Sequence, residues 1–129
     1  MNVVWLSSRD IDARWDELEP HLRRFERERQ VISVDNVRAD CESGDKQMWL
    51  IEGAGIAVTQ ILTTPKGRVC EIFAACGSAS LADMREVLAR LERWATGVGC
   101  THMKIYGRRG WKRALRDYEQ TGIILEKAI

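Results

Sequence analysis

The chain has 129 residues, a length typical of one domain and enough to bury a core without a disulfide or a metal. Apolar residues make up 45% of it and charged residues 30%, a balance that excludes a disordered polypeptide. Twenty basic and nineteen acidic residues give a net charge of +1, so nucleic-acid binding would need a local basic patch. We therefore expect a single soluble domain over residues 1–129.

The four cysteines, at positions 41, 70, 76 and 100, contain no Cys-x-x-Cys pair, and no histidine follows them at zinc-finger spacing. We expect free thiols, mostly buried, and no metal site. The N-terminus has no basic start and reaches charge by Arg9. No apolar run approaches the roughly 18 residues that a membrane helix needs. These features favour a cytoplasmic protein with no membrane partner.

The first third of the sequence predicts one strand followed by helices. The run "VVWL" at 3–6 is β-branched and typical of a strand. Asp10 can cap a helix with apolar residues at helical spacing, and Pro20 should either kink this helix or start a second one. Ser33 and Gly44 mark the two ends of a further short helix.

Three strands should fill the middle of the chain as a meander. The runs "QMWLIE" and "GIAVTQILTT" are joined by Gly53-Ala54-Gly55, which indicates a hairpin. The turn "TPKG" then has proline and glycine where a type I turn prefers them, and the strand "RVCEIFAA" follows.

The clearest helical pattern lies at 81–95, behind a cap at Ser78 or Ser80. "THMKIY" alternates as a strand does, residues 110–118 predict a short helix, and "GIILEKAI" predicts a closing strand. A strand, a helix and a strand in this order favour a crossover with both strands in one sheet. The predicted fold class is α/β (α+β): a mixed, mostly antiparallel sheet flanked by about four helices.

The segment "EIFAACGSASLADM" joins a strand to the N-terminus of the clearest helix through small residues. Helix N-termini carry unpaired amides and a partial positive charge, and they bind phosphates and other anions. Gly77, Ser78, Ala79 and Ser80 would let a ligand approach the backbone closely. The alternative is a tight, capped turn that binds nothing.

The order of these elements resembles the GNAT superfamily of N-acetyltransferases over nearly the whole chain. GNAT proteins carry a Gln/Arg-x-x-Gly-x-Gly/Ala loop before a long helix, and "AACGSA" has Gly77 and Ala79 in register, with Ala74 replacing Gln or Arg. Many also carry Asn-x-x-Ala-x-x-x-Tyr-Glu-x-x-Gly, which "WKRALRDYEQTG" matches through Tyr118, with Trp111 replacing Asn. The chain is also similar to small GNAT-like proteins encoded in phage genomes.

This resemblance implies an acetyl-CoA-dependent N-acyltransferase whose amine acceptor the sequence does not identify. Tyr118 would protonate the departing thiolate, and Glu71 would accept a proton from the amine, alone or through water. The structural alternatives are a cross-strand ion pair for Glu71 and simple packing against Trp111 and Leu115 for Tyr118.

The resemblance also implies how acetyl-CoA would be held. Backbone groups of residues 73–75 would pair with its pantetheine arm, and the amides of residues 77–81 would hold its pyrophosphate. Arg108, Arg109 or Lys112 could contact a phosphate. The implied cofactor-binding residues are Phe73, Ala74, Ala75, Gly77, Ser78, Ala79, Ser80 and Leu81.

Two other functions stay open at this point. The replacements at Ala74 and Trp111 are compatible with a catalytically weak or inactive GNAT-fold accessory or virion-associated phage protein, acting as a binding module in the host cytoplasm. A basic cluster from Lys104 to Arg116 could contact nucleic acid, but Trp111 and Tyr118 lie on its apolar face, which argues against base stacking. A homo-oligomer is compatible with each function.

Overall fold

The computed structural model describes residues 2–78, 80–107 and 111–129, and at Leu81 the backbone only. In chain order these residues form β1 (Val3–Leu6), α1 (Ser8–Ala13), α2 (Trp15–Arg29), α3 (Val34–Ser43), β2 (Gln47–Ile51), β3 (Gly55–Thr64), β4 (Gly67–Gly77), α4 (Leu81–Gly97), β5 (His102–Ile105) and α5 (Trp111–Ala114). The strands form one sheet in the order β1-β2-β3-β4-β5, in which only β5 is parallel to its neighbour. This is the predicted mixed, mostly antiparallel α/β fold.

The first helical region divides at a different residue from the one predicted. Ser7, and not the predicted Asp10, is the N-cap of α1: its hydroxyl accepts from the Asp10 amide, and the Asp10 carboxylate accepts from the Ser7 amide. The break between α1 and α2 is at Arg14, where ψ is 12°, outside the helical range. Pro20 lies inside α2, so it neither starts a helix nor separates the two.

The other long helices begin where the sequence predicts. The Ser33 hydroxyl accepts from the Asn36 amide at the start of α3, and Gly44 ends that helix with a φ of 90°. Ser80, one of the two predicted caps, is the N-cap of α4. Both predicted caps are confirmed. Serine is favoured at these positions because its side chain satisfies an amide that the first helical turn leaves unpaired.

Helices cover both faces of the sheet, and each face has its own core. The first core unites side chains of α1, α2 and α3 with the sheet, and the second unites α4 and α5 with the opposite face. Trp49 is buried in the second core, where its ring meets Trp94 edge-on at 4.9 Å. Its indole Nε1 donates to the Thr59 hydroxyl at 3.0 Å, which donates to Gln47 at 2.9 Å.

Strand β4 contains a β-bulge at Phe73. Val58 and Thr59 of β3 face Ala74 and Ile72, so Phe73 has no partner residue on β3. The extra residue reverses the faces to which the following side chains point: Ile72 lies in the second core, whereas Ala74, two residues on, lies in the first.

The opposite edge of β4, which pairs with β5, loses its partner strand at the same point. Pairing of β4 with β5 runs from Val69–His102 to Ile72–Ile105 and ends there. From Phe73 to Gly77, β4 is therefore paired with β3 on one edge only, within the part of the chain that the structure describes.

The predicted helix over 110–118 is shorter in the structure. α5 is a single turn, and a turn follows in which the Tyr118 amide donates to the Leu115 carbonyl at 3.0 Å. The predicted division of its side chains is confirmed: Ala114 and Leu115 are buried, and the cationic residues Lys112, Arg113 and Arg116 are exposed.

The predicted closing strand is wrong. Residues 121–129 form no strand, and the side chains of Ile123, Ile124, Leu125 and Ile129 are exposed. β-Branched residues favour a strand only where a neighbouring strand and a core accept them, and this segment has neither in the structure.

Gly55 and Gly97 give a matched test of the contact between the β2–β3 turn and the end of β4. A methyl group at Gly55 would lie 2.0 Å from the Cys76 carbonyl oxygen, whereas nothing lies within 4 Å of one at Gly97. Gly55→Ala should lower the free energy of unfolding by about 3 kcal/mol or more, because the backbone must move. Gly97→Ala should leave it unchanged or raise it by up to about 1 kcal/mol. Urea unfolding followed by circular dichroism measures both, and equal stabilities would contradict the contact.

Candidate active site

The end of β4 and the beginning of α4 form the junction that the sequence indicates as a binding site. Because β5 ends at Ile105, main-chain groups on one edge of Phe73–Gly77 have no strand partner in the described chain. An extended ligand that carries amide groups can bind to such an edge as an added strand does.

The side chains of this edge point away from it into the cores. Ala74 is buried in the first core and Ala75 is half-buried against the second. Phe73 is half-buried, and the Lys46 ammonium lies 5.1 Å from its ring centroid. These three residues can therefore offer a ligand mainly their backbone groups.

The loop after β4 is tied to the turn between β2 and β3. The Ser78 amide donates to the Ala54 carbonyl at 2.8 Å. Gly77 has a φ of 133°, and a methyl group there would lie 2.1 Å from the same carbonyl oxygen. The glycine is thus required by packing against this turn, whether or not a ligand binds. Ala79 lies outside the described residues, as do Arg108 and Arg109.

The N-terminus of α4 is closed by a capping box. The Ser80 hydroxyl accepts from the Asp83 amide at 3.1 Å, and the Asp83 carboxylate accepts from the Ser80 amide at 3.3 Å. The amides of Leu81 and Ala82 are the first-turn donors that helix geometry leaves without an intrahelical acceptor. The residues present thus fit an extended neutral arm along β4 and leave two amides for a phosphate, beside one opposing carboxylate.

Glu71 is buried in the sheet, with 3% of its surface exposed. Gln60 donates to its Oε1 at 2.6 Å, and the Lys104 ammonium lies 3.8 Å from its Oε2. The cross-strand ion pair is therefore present, although the side chain is not exposed as an outward strand residue would be. A carboxylate has about four acceptor sites, so two partners leave it able to accept further hydrogen bonds.

Tyr118 packs against the second core, and its hydroxyl donates to Glu92 of α4 at 2.6 Å. Burial raises the pKa of Tyr118 well above its usual value, and the hydrogen bond to Glu92 raises it further. Glu71 precedes Ile72, which lies in that same core, so Glu71 points to the opposite face of β4. The two predicted catalytic side chains therefore approach β4 from different faces.

Two surface hollows lie away from this junction. One of about 430 Å³ lies between β1 and α4, and one of about 480 Å³ lies along α4. Among the described residues, none of the predicted site residues lines either of them. The candidate site therefore consists of the free edge of β4 and the first turn of α4, not of a hollow. In the described ranges, no three His, Cys, Asp or Glu side chains are grouped to hold a metal. No helix there is long and apolar enough to span a bilayer.

Asp83, Gln60 and Glu92 contact predicted site residues but are absent from the sequence-based prediction. Asp83 could have been found, because Ser-x-x-Asp before an apolar run resembles a capping box. Gln60 lies opposite Glu71 only through the register of β3 on β4, and Glu92 meets Tyr118 only through packing of distant segments. Sequence spacing carries no signal for these two.

No protein-family model and no curated protein matches the sequence. The fold does match solved structures. A probable acetyltransferase has a TM-score of 0.74 at 11% identity, with 100% of this chain and 99% of that chain covered. The ribosomal-protein-alanine N-acetyltransferase from Brucella melitensis biovar Abortus 2308 has a TM-score of 0.62 at 12% identity, with coverages of 99% and 94%. A predicted acetyltransferase with acetyl-CoA from Clostridium acetobutylicum has a TM-score of 0.65 at 14% identity, with coverages of 98% and 95%.

These similarities extend over the whole chain and show that it has the GNAT fold, as the sequence predicts. At such identities the likeness concerns the fold alone. The similarity to phage-encoded proteins stays a prediction.

The free cysteines give a test of burial around the site. Burial raises the pKa of Cys41, Cys70 and Cys76 to about 12. Cys76 and Cys100 are both partly exposed, so Cys76 is expected to be slow through its raised pKa. At pH 8 only about one in ten thousand of a thiol with a pKa of about 12 is ionised, so these three should react slowly. Titration with Ellman's reagent at pH 8 should show at most one fast thiol, lost in Cys100→Ser, and four in urea. Two or more fast thiols in the folded protein would contradict this burial.

Proposed function

We propose that this chain is an acetyl-CoA-dependent N-acyltransferase that acts on an amine. The observation that carries the proposal is the division of β4 from β5 at the Phe73 bulge, which leaves a free strand edge leading to the first turn of α4. The GNAT fold supports it, since the fold is shared with acetyltransferases, one of them described with acetyl-CoA.

The chain's own groups would hold the ligand in two parts. The free edge of Phe73–Gly77 would pair with the pantetheine amides, and the amides of Leu81 and Ala82 would bind a phosphate at the positive end of the α4 dipole. Acetyl-CoA, when bound, supplies a thioester whose acyl group can pass to an amine.

The two proposed catalytic residues would move the protons of this reaction. Glu71 would accept the proton that the amine loses, and Tyr118 would give a proton to the sulfur that leaves. Because they approach β4 from opposite faces, they can act on opposite sides of a group that lies where β4 and β5 separate. A phenol is protonated at neutral pH at its ordinary pKa. The Tyr118 proton is donated to Glu92, so its transfer to the sulfur would break that hydrogen bond.

A second candidate function is favoured by the hydrogen bonds and the carboxylate already present at the N-terminus of α4. The amides of Ser78 and Ser80 already have protein acceptors, and Asp83 places a negative charge where a phosphate would bind. These contacts also suit a GNAT-fold accessory protein that binds a partner without catalysis. The cytoplasmic location, the phage origin and a homo-oligomer remain predictions under both functions.

Acetyl-CoA should stabilise the folded chain. A ligand present at about 100 times its dissociation constant adds about 2.7 kcal/mol to the free energy of unfolding. For a chain of this size that should raise the Tm by roughly 10 °C, measured by differential scanning fluorimetry. A Tm that does not change in millimolar acetyl-CoA or CoA would favour the accessory function.

Two variants that change the charge at the N-terminus of α4 test whether acetyl-CoA binds there. They extend the stabilisation measurement above. Asp83→Asn keeps an acceptor for the Ser80 amide but removes a negative charge, so it should tighten acetyl-CoA roughly fivefold, about 1 kcal/mol. Ser78→Glu should weaken it by a similar factor. Asp16→Asn, in the first turn of α2, is the control for the same change at another helix and should have no effect. Calorimetry measures all three, and equal affinities would place the ligand elsewhere.

Glu71→Gln should separate catalysis from binding. The amide keeps the size of the side chain and its contact with Gln60, but it cannot accept a proton. We expect kcat to fall about 100-fold or more with little change in the KM for acetyl-CoA. The assay follows CoA release with a panel of primary amines, and Glu126→Gln, an exposed residue, is the control. A kcat within about threefold of wild type would remove Glu71 from the mechanism.

A further inference from the structure

Strand β1 is an edge strand whose exposed residues are apolar. It pairs with β2 on one edge, and no strand in the described part of the chain pairs with its other edge. Sheet edges are usually protected by charged residues, proline or bulges, because an open edge can pair with a strand of another molecule. The run Val3–Leu6 has none of these, and Val4 and Trp5 are 38% and 53% exposed. Its protection is its short length, and the edge is open to a further strand.

The pairing of β1 with β2 shows which main-chain groups face the open edge. The Glu52 amide donates to the Asn2 carbonyl at 3.0 Å. Along an antiparallel strand these groups alternate between the two edges, so those of Asn2 and Val4 face β2. The N–H and C=O groups of Val3 and Trp5 therefore face the open edge, where they can hydrogen-bond to an added strand.

Trp5 projects from this edge on the face of the sheet that α4 covers. It lies opposite Trp49, which is buried in the second core, and directly opposed residues of an antiparallel pair share a face. More than half of the Trp5 surface is nevertheless exposed, although tryptophan is highly buried on average. Tryptophan is enriched in protein–protein interfaces and among the residues that dominate their binding energy. An exposed tryptophan on an open edge therefore indicates an interface.

The hollow of about 430 Å³ between β1 and α4 lies on the same face, two residues along the strand from Trp5. Val3 lines it from the strand, and two arginines, Arg90 and Arg93, line it from α4 beside the carboxylate of Glu86. Its volume is in the range that holds a small-molecule ligand, so an indole ring fits. A guanidinium group stacks well on the face of an indole. The hollow therefore suits an aromatic side chain.

We propose that two copies of this chain dimerise by antiparallel pairing of their β1 strands about a twofold axis at Val4. In that register, Val3 of each copy lies opposite Trp5 of the other. The outward main-chain groups of each such pair hydrogen-bond to each other. Opposed side chains share a face, so each Trp5 enters the hollow that Val3 of the other copy lines. The two Val4 side chains meet on the opposite face.

A second copy is the occupant because it supplies both complementary parts. Any extended peptide could pair with the edge through its main chain. Another copy of this chain brings a tryptophan for the hollow and a hollow for the tryptophan, and a twofold interface of this kind is closed. Strands β2 and β3 separate β1 from the edge of β4 where acetyl-CoA is proposed to bind. The dimer therefore leaves that edge open and does not depend on the proposed function.

Sedimentation velocity between about 5 and 500 μM tests the association, because an interface on so short an edge is at the small end of stable interfaces. The wild type should be mostly dimer at the upper end. Trp5→Ser should be monomeric throughout, with circular dichroism confirming its fold. Val31→Ser, at an exposed valine between α2 and α3, is the control and should dimerise as the wild type does. A wild type that stays monomeric, which would leave the edge to another partner, or a dimer that persists in Trp5→Ser would overturn the proposal.

Opposite charges at Val4 test the register, and they decide the proposal even where Trp5→Ser fails to fold. Val4→Lys and Val4→Glu each place like charges opposite each other at the axis, so each alone should dimerise about tenfold more weakly than the wild type. An equimolar mixture should form the heterodimer, which added salt should weaken. Val31→Lys and Val31→Glu should each dimerise as the wild type does. Dimers of Val4→Lys as tight as the wild type, or a mixture no tighter than its components, would overturn the pairing at Val4.

Discussion

The single extra residue at Phe73 is the constraint on which the arrangement of the candidate site depends. A strand alternates its side chains strictly between two faces, so one inserted residue exchanges the faces for all that follow. Here the exchange occurs where β5 stops pairing with β4, so the strand edge opens and the core contacts of Ile72 and Ala74 divide at one position.

The first turn of α4 meets two requirements that oppose each other. A helix that follows a tight loop needs acceptors for its first amides, and Ser80 with Asp83 supplies them from within the chain. An anion-binding helix needs the same amides free. The structure satisfies the first requirement in full. It satisfies the second only in part, because the amides of Leu81 and Ala82 are the ones that stay free for an anion. Affinity for a phosphate would therefore depend on one carboxylate more than on the glycine and serines of the loop.

The sequence predicted well those features that depend on local chemistry. Caps at Ser33 and Ser80, the hairpin after β2 and the inward face of α5 all follow from residue type and spacing. The sequence does not predict the break at Arg14, because arginine is an ordinary helical residue and its non-helical ψ is visible only in the structure. Proline is the stronger local signal for a break, and it points to Pro20 instead. The closing strand was wrong because strand propensity describes a fit to neighbours that residues 121–129 do not have. The partners of Glu71 and Tyr118 depend on sheet register and tertiary packing, which no single sequence window contains.

The close approach of Gly77 to the Ala54 carbonyl has a consequence for how such chains diverge. A residue that both the fold and a ligand require can lose the ligand without losing the glycine, because any side chain would collide with the neighbouring turn. Gly77 would then be kept both in an active ancestor and in an inactive descendant. Selection for activity would instead be visible at positions that the fold leaves free to vary.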